Sequence, residues 1–305
     1  MNKPLVRAVF IGFDYDYEIL SVLELTRKEK TKRISHFYFP KIVKFLYYRF
    51  SLFSRFIMYL SFRYIQNKIK HCDETVLVIV KDDEFYLNLI ERLPYKKIVI
   101  FRNVVSGNVL ELCKDIKKFT FDIDDSLKYQ MEYYSQFTPA YEFLRTTSFN
   151  SNYDATFIGT DKGRKVILDD LVSKNKSLKF NVKVVKRNNT LVRFVNSLFL
   201  RGQNSYKSFI QEQYSTKCVI DIIQENQSGE TMRFIEALIA RKKVITNSKN
   251  IKAHPLYSKR NVYILGCDER SLSVFINEDF EVINVSKLYS YSSTKILNEI
   301  IEKSI

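Results

Sequence analysis

A polar segment, QSGETMRFIEAL, holds the residue types best suited to binding an anion. It follows an apolar strand predicted over residues 218–223, and the pattern predicts that a helix begins at Ser228 or Gly229. A helix start offers unpaired backbone N–H groups and the positive end of the helix dipole. On a helical wheel, Arg233 and Glu236 share the side opposite the apolar residues. The segment therefore suits a nucleoside diphosphate, or it is a surface helix with an internal Arg233–Glu236 salt bridge.

A second polar loop, TDKGR, follows the strand predicted over residues 155–159. Gly159 and Gly163 permit tight turns and a close approach of the backbone to a ligand. Lys162 and Arg164 can neutralise phosphate charge. The loop fits neither the G-x-G-x-x-G nor the Walker A pattern, and the alternative is a solvated connection. Because both polar segments follow strands of one predicted parallel sheet, we expect them at the same sheet edge.

Apolar runs that alternate with helical segments predict the framework for these loops. The strands are predicted over residues 5–11, 75–80 and 97–101 in a first series, and over 155–159, 179–185, 218–223, 243–246 and 261–265 in a second. Such alternation is typical of parallel βαβ units. We therefore predict an α/β fold with two Rossmann-like domains facing across a cleft. The predicted domains are residues 1–145 and 146–305.

The composition is that of a folded globular protein with a strong positive charge. The chain has 305 residues, 46% of them hydrophobic, and a formal net charge of +15, which favours anionic partners. The three histidines and four widely spaced cysteines disfavour a metal or redox centre, and we expect free thiols in a reducing compartment. We expect no leader peptide. No apolar window of about 18 residues predicts a membrane span.

Much of the positive charge lies in the N-terminal part of the chain. Between positions 27 and 70 there are twelve basic residues and one acidic residue, among many aromatic side chains. A helix over residues 41–65, within the basic segment 41–70, would place five cations on one side and apolar residues such as Ile57 on the other. These cations are Lys41, Lys44, Arg49, Arg55 and Arg63. The helix could lie on an anionic membrane, pack on the core with a solvated basic face, or bind nucleic acid.

Three stretches of the C-terminal half, FIGTDKGR, CVIDIIQENQSGETMRFIEALIARKKVITNS and NVYIL, resemble one enzyme family. They are similar to the C-terminal half of bacterial GT-B-fold glycosyltransferases, of the type found in lipopolysaccharide and capsule gene clusters. In that type a Q-x-G-x-T-x-R-x-x-E-A-L segment opens the donor-site helix. The residues that match this pattern are Gln227, Gly229, Thr231, Arg233, Glu236, Ala237 and Leu238.

The resemblance implies that the C-terminal domain binds a nucleotide-sugar donor. It assigns Glu236 to the ribose, and Arg233 with the helix start to the diphosphate. With the glycine loop, the predicted donor-binding set is Gly159, Lys162, Arg164, Gln227, Gly229, Thr231, Arg233 and Glu236. The resemblance implies no metal ion or other cofactor. It also implies a lipid-linked or cell-surface glycan as acceptor. The basic segment predicts peripheral attachment to the inner face of the cytoplasmic membrane. We expect no nucleic-acid partner, because the sequence has no RNP, KH or zinc-finger pattern and its aromatic residues are mixed with Leu, Ile and Met.

Sugar transfer with inversion needs a group that takes the proton of the acceptor hydroxyl. Asp14 follows the first predicted strand, close to Asp16 and Glu18, and is the predicted catalytic base. Asp82 and Asp83 follow the second strand and are its rivals. The structural alternative for Asp14 is a hydrated loop or a helix cap, and a retaining enzyme would not need this base.

Two other functions are compatible with the sequence. A nucleic-acid-binding protein would use the same basic surface, with steeply salt-dependent affinity and no need for Glu236. A catalytically inactive scaffold would bind a nucleotide sugar without transferring it. The sequence defines neither the sugar nor the base, the acceptor, the stereochemistry or the oligomeric state.

Overall fold

The computed structural model describes residues 6–28, 30–34, 47–49, 51–70, 72, 75–105, 107–185, 206–224 and 227–305. The chain divides into two compact units. The first contains the described residues up to Tyr134 together with Ser293–Ile305, and the second contains those from Ser135 to Ser292. Within these described ranges, no helix is both long enough and apolar enough to cross a bilayer.

The first unit is built on a six-stranded parallel sheet. Its strands are β1 (Ala8–Ile11), β2 (Thr31–Ile34), β3 (Leu77–Lys81), β4 (Lys97–Phe101), β5 (Lys117–Thr120) and β6 (Glu132–Tyr133), in the order β2-β1-β3-β4-β5-β6. Its first five helices are α1 (Asp16–Lys28), α2 (Ser51–Ile69), α3 (Glu84–Ile90), α4 (Gly107–Leu112) and α5 (Ile123–Tyr129).

The central strands of this sheet are nearly continuous apolar runs. The sequences AVFI of β1 and LVIVK of β3 are buried at every position. A parallel sheet covered by helices on both faces requires such runs, because neither side of the strand reaches water. Ile65 and Ile69 of α2 join the same core. The sheet therefore provides a rigid base for the loops at the carboxyl ends of its strands.

The second unit contains a five-stranded parallel sheet. Its strands are β7 (Tyr153–Thr160), β8 (Phe180–Val185), β9 (Thr216–Asp221), β10 (Lys243–Thr246) and β11 (Val262–Ile264), in the order β11-β10-β9-β7-β8. Its helices are α6 (Tyr141–Thr146), α7 (Lys165–Lys174), α8 (Tyr206–Tyr214), α9 (Met232–Ile239), α10 (Leu272–Asn277) and α11 (Val285–Tyr289). The two parallel sheets confirm the predicted α/β fold with two Rossmann-like units.

The last helix, α12 (Ser293–Glu302), belongs to the first unit rather than to the second. The apolar residues of α12, among them Leu297 and Ile300, are buried. The hydroxyl group of Ser293 donates to the carboxylate of Glu24 on α1 at 2.9 Å. The sequence predicted one boundary between residues 145 and 146. In the structure the second unit begins at Ser135, and the chain returns to the first unit after Ser292.

Candidate functional site

Two loops of the second unit meet at the carboxyl edge of its sheet. β7 and β9 are adjacent parallel strands, so the chain leaves both at the same edge. The loop after β7 leads to Arg164, and the loop after β9 leads to α9, which carries Arg233. The structure therefore brings together the two polar segments that the sequence singled out.

The guanidinium of Arg233 lies against the ring of Phe157, with its central carbon 4.9 Å from the ring centroid. It donates to the backbone oxygen of Ile158 at 3.0 Å and lies 3.3 Å from the carboxylate of Asp221, the last residue of β9. Its Nε is buried and has no hydrogen-bond partner among the described residues. Sequence analysis missed Asp221, although an acidic residue that ends an apolar strand is a visible signal.

Arg164 brings a second guanidinium to the same ring, 6.0 Å from the centroid of Phe157. Burial, together with the nearby charge of Arg233, lowers the pKa of Arg164 from its usual value. Its Nε is also buried without a partner in the part of the chain that the structure describes. We call Arg164 and Arg233 the arginine pair. Two buried donors that lack acceptors, on two neighbouring cations, are suited to binding an anionic ligand.

A tight turn positions Arg164. Lys162 and Gly163 both have positive φ angles, 45° and 81°, a backbone region that favours glycine. The carboxylate of Asp161 accepts the backbone N–H of Lys165 at 2.9 Å and so caps the start of α7. Lys162 is exposed on this turn, and its contact with a donor stays a prediction.

α9 begins later than the sequence predicted, after Thr231 rather than at Ser228 or Gly229. Thr231 is the N-cap, and its hydroxyl accepts the N–H of Phe234 at 3.1 Å. This hydroxyl satisfies a donor of the first helical turn, which explains the later start. The side chain of Gln227 donates to the carbonyl of Gly229 at 3.2 Å in the preceding loop. The roles predicted for these loop residues in donor binding stay predictions.

Glu236 lies in a closed cage of hydroxyl groups. It is 1% exposed, and its carboxylate accepts hydrogen bonds from Thr138 and Tyr214, both at 2.7 Å, and from Tyr206. Burial raises the pKa of Glu236. The predicted position on a non-core side of the helix is wrong, since α9 is buried from residue 234 to residue 239. The helical wheel failed here because polar partners, and not water, surround the polar side chain.

The hydroxyl cage connects separate parts of the second unit. Thr138 lies in the segment by which the chain enters the unit, while Tyr206 and Tyr214 lie on α8. Sequence analysis missed all three residues, because only the tertiary fold decides which hydroxyl meets which carboxylate. Both oxygens of Glu236 are already engaged. Its assignment to the ribose stays a prediction.

Asp14 follows β1 in the first unit, as predicted. One of its carboxylate oxygens accepts from the hydroxyl of Tyr86, and the other lies 3.4 Å from the guanidinium of Arg33. The neighbouring Glu18 is buried, accepts the backbone N–H of Asp14 at 3.1 Å and pairs with Lys81 at 2.7 Å. Glu18 therefore caps the start of α1, and Asp14 is the more accessible of the two carboxylates.

Asp82, the rival of Asp14, follows β3. Burial raises the pKa of Asp82 to about 6. One oxygen accepts from the backbone N–H and the side-chain amide of Asn103, both at 3.1 Å. The other oxygen is buried without a partner among the described residues. The assignment of the catalytic base to Asp14 stays a prediction, and the raised pKa of Asp82 lies closer to neutral pH than the usual value of an aspartate.

The structure places the arginines of the basic segment on the outer side of α2 and of the residues just before it. Arg49, Arg55 and Arg63 are exposed, whereas Lys41 and Lys44 lie outside the described residues. The same outer side carries four exposed apolar or aromatic residues: Tyr48, Phe56, Tyr59 and Leu60. The inner side, with Ser61 and Ile65, is buried. Thus the aromatic residues are divided between the core and the basic surface, rather than all lying opposite the arginines.

No group of three or more histidine, cysteine, aspartate or glutamate side chains among the described residues is placed to hold a metal ion. The predicted independence from metals stays a prediction.

Comparison of the sequence with protein-family models and with curated proteins finds no match. Among solved structures, the UDP-GlcNAc 2-epimerase of Methanocaldococcus jannaschii, in complex with UDP-GlcNAc and UDP, aligns with a TM-score of 0.52 at 9% identity over 97% of this chain and 99% of its own. A glycosyltransferase from Rickettsia africae aligns with a TM-score of 0.46 at 11% identity over 99% of this chain and 93% of its own.

A third similar structure is a glycosylation-associated protein of the Gap123 complex from Streptococcus agalactiae. It aligns with a TM-score of 0.40 at 12% identity over 82% of this chain, and this chain spans 56% of its length. At such identities the similarity concerns the fold alone. Together with the two parallel sheets, the similarity to the epimerase, which covers nearly all of both chains, defines an α/β architecture of the GT-B type.

Proposed function

We propose that this protein transfers a sugar from a nucleotide-sugar donor to a glycan acceptor. The observation that carries the proposal is the arginine pair at the carboxyl edge of β7 and β9, with two buried Nε donors that have no partner among the residues that the structure describes. In open parallel α/β sheets this edge is where ligands bind. A diphosphate supplies acceptors for these two Nε donors and adds negative charge to that of Asp221, the carboxylate that pairs with Arg233.

The same two groups account for the chemistry of the leaving group. As the bond between the anomeric carbon and the diphosphate breaks, negative charge grows on the departing oxygen. Arg164 and Arg233, held in place by β7 and β9, stabilise this charge more strongly than water does because they are largely desolvated. The proposal includes contacts from Gly159, Lys162 and the loop before α9, and from Glu236 to the ribose.

The proposed acceptor is a lipid-linked or cell-surface glycan, of the kind found in lipopolysaccharide or capsule. An acceptor hydroxyl attacks the anomeric carbon. In an inverting reaction Asp14 takes the proton of this hydroxyl. Tyr86 and Arg33 hold the carboxylate of Asp14 in orientation. We propose that no metal ion takes part, and that the reaction occurs at the inner face of the bacterial cytoplasmic membrane.

Peripheral attachment to the membrane is proposed through the outer side of α2. Exposed arginines attract anionic headgroups, and aromatic rings are favourable at the level of the headgroups. Phe56 and Tyr59 are 59% and 60% exposed beside Arg55 and Arg63. Covering such large apolar side chains with a membrane removes them from water and lowers the free energy of the system.

The proposal is tested by a thermal-shift screen of UDP, GDP, CMP and dTDP sugars, followed by an assay of sugar transfer with the best donor. We expect one nucleoside diphosphate sugar to raise the melting temperature, because a ligand that binds only the folded state stabilises it by about 2.7 kcal/mol at 100 times its Kd. A screen in which no nucleotide sugar changes the melting temperature, while RNA or DNA does, would reject the proposal.

Gly159→Ala should weaken donor binding without removing any charge. A Cβ at this position would lie 3.0 Å from a terminal nitrogen of Arg233 and 3.3 Å from the ring of Phe157. The guanidinium must then shift by a few tenths of an ångström at the end of β7. We expect this shift to cost about a tenfold loss of nucleotide affinity, or about 1.4 kcal/mol. The matched control is Gly107→Ala, where the new Cβ meets no atom within 4 Å. Calorimetric titration of both variants that finds equal affinities contradicts the prediction.

A further inference from the structure

A groove with a volume of about 540 Å³ lies between α2 and α3 in the first unit. This volume falls within the range of about 300–1,000 Å³ that is common for small-molecule sites. We call it the α2–α3 groove. Its apolar lining consists of Tyr47, Met58, Phe62 and Leu89, and its polar lining of Ser54, Arg55, Tyr59, Asn88, Glu91 and Arg92.

The floor of the groove is continuous with the core of the first unit. Met58 and Phe62 pack against the buried cluster of this unit, but they remain half-buried rather than fully covered. They lie on the flank of α2, between its buried side, marked by Ile65, and its exposed side, marked by Tyr59. The flank therefore presents apolar surface directly below a basic and aromatic outer side.

The charges at the groove favour an anion. Arg55 and Arg92 line it, and neither makes an ion pair with another residue in the described ranges, whereas Glu91 is the one acidic residue of the lining. Two guanidinium groups suit a phosphate, which accepts several hydrogen bonds. A second copy of this chain on the same surface would bring these arginines towards one another, which disfavours self-association through a two-fold contact.

We propose that the α2–α3 groove binds one anionic phospholipid, with its phosphate at Arg55 and Arg92 and an acyl chain against Met58 and Phe62. The inference rests on the membrane attachment proposed above. It adds a defined binding site for one lipid molecule to the general attraction between the basic surface and anionic headgroups. The aromatic residues outside the groove, Phe56 among them, then lie at the level of the headgroups. Occupation of the groove would fix the depth and orientation of the first unit on the bilayer.

A single tryptophan provides a direct test, because the chain contains none. Phe62→Trp places the probe in the groove, Met58→Trp is a second groove probe should the first variant fold poorly, and Tyr289→Trp is the control in the second unit. Each full-length variant is mixed with phosphatidylcholine–phosphatidylglycerol vesicles whose phosphatidylglycerol carries brominated acyl chains. We expect the tryptophan emission of the groove probe to fall by at least about twofold, and that of the control to stay unchanged. The reason is that bromine on the acyl chain quenches tryptophan only at short range.

The charge requirement is tested in the Phe62→Trp background. Arg55→Gln combined with Arg92→Gln should abolish most of the quenching, while the matched pair Lys249→Gln and Arg260→Gln, two exposed cations of the second unit, should leave it intact. Equal quenching with brominated phosphatidylcholine alone overturns the inference. Co-sedimentation of the protein with vesicles, without any quenching of the groove probe, also overturns the inference. That result would still support attachment to the membrane.

Two further readouts separate this inference from its alternatives. A groove probe whose emission changes with protein concentration in the absence of lipid indicates a second copy as the occupant, and overturns the inference. Nucleotide affinity is measured on the same charge variants and should be unchanged, because the arginine pair lies in the second unit. Loss of lipid quenching with normal nucleotide binding therefore tests the groove, independently of the proposed sugar transfer.

Discussion

Arg233→Ala should lower the affinity for the nucleotide donor by about 100-fold or more, equivalent to about 2.7 kcal/mol. The guanidinium occupies the carboxyl edge of the sheet, fixed by Ile158 and Asp221 and by the ring of Phe157. Alanine removes a charge-assisted donor and leaves the carboxylate of Asp221 without its cation, which adds repulsion towards a diphosphate. Calorimetric titration with the nucleoside diphosphate identified in the screen measures the effect.

A second arginine variant in the same unit separates local from general charge effects. Arg260 is exposed, and Arg260→Ala removes one positive charge without touching the arginine pair. We expect it to bind the nucleotide with the affinity of the unchanged protein. Arg164→Ala should behave like Arg233→Ala, because the second Nε donor is lost. An Arg233→Ala variant that remains folded and retains full nucleotide affinity would falsify the donor-site model.

Glu236→Ala should destabilise the second unit by about 3 kcal/mol or more, whereas Glu236→Gln should cost far less. Alanine leaves the hydroxyl groups of Thr138, Tyr206 and Tyr214 buried without their acceptor, and each unsatisfied group costs about 1–3 kcal/mol. Glutamine keeps one oxygen as an acceptor, and its amide can donate to the third hydroxyl. Urea unfolding followed at both units measures the difference, and equal midpoints for the two variants would contradict it.

The unchanged protein and Glu236→Gln should also differ in how their stability depends on pH. Burial raises the pKa of Glu236 in the folded state above its usual value of 4.5. The folded protein therefore binds this proton more tightly than the unfolded chain does, so Glu236 makes stability fall as the pH rises through the raised pKa. Glu236→Gln removes this contribution. The stability of the glutamine variant relative to the unchanged protein should increase with pH over that interval.

Glu236→Gln also tests the ribose assignment. A folded variant that loses affinity for the nucleotide, but not for inorganic pyrophosphate, supports a contact between Glu236 and the ribose. An unchanged ratio of the two affinities assigns the carboxylate to the hydroxyl cage alone. The comparison is informative because pyrophosphate has no ribose, so its affinity does not report a contact between Glu236 and the sugar.

The strands and their order of succession could be predicted because buried parallel strands have a strong pattern. The runs LVIVK and KIVIF are short, nearly free of polar residues and rich in valine and isoleucine, which favours a buried parallel strand over a buried helix. Convergence of the two polar loops also followed from the sequence, since parallel strands in one sheet end at one edge. The sequence therefore predicts that Arg164 and Arg233 lie near each other.

The environments of the acidic residues could not be predicted. The helical wheel predicts Glu236 on the non-core side of an amphipathic helix, and only the fold shows that Thr138 and two tyrosines surround it. Likewise the pKa of Asp82 is raised because its carboxylate loses water, and the two polar contacts from Asn103 do not replace that water. Such differences depend on contacts between residues far apart in sequence, which periodicity does not report.

The helix α12 has a consequence for biogenesis. The first unit begins at the start of the described chain, yet α12 packs on α1 and lies beyond the whole of the second unit in sequence. During translation the second unit can complete its sheet while the first unit still lacks α12. The first unit therefore keeps apolar surface exposed until residues 293–302 have left the ribosome. Chaperone binding to nascent chains should therefore persist beyond synthesis of the second unit and end only when that late helix emerges.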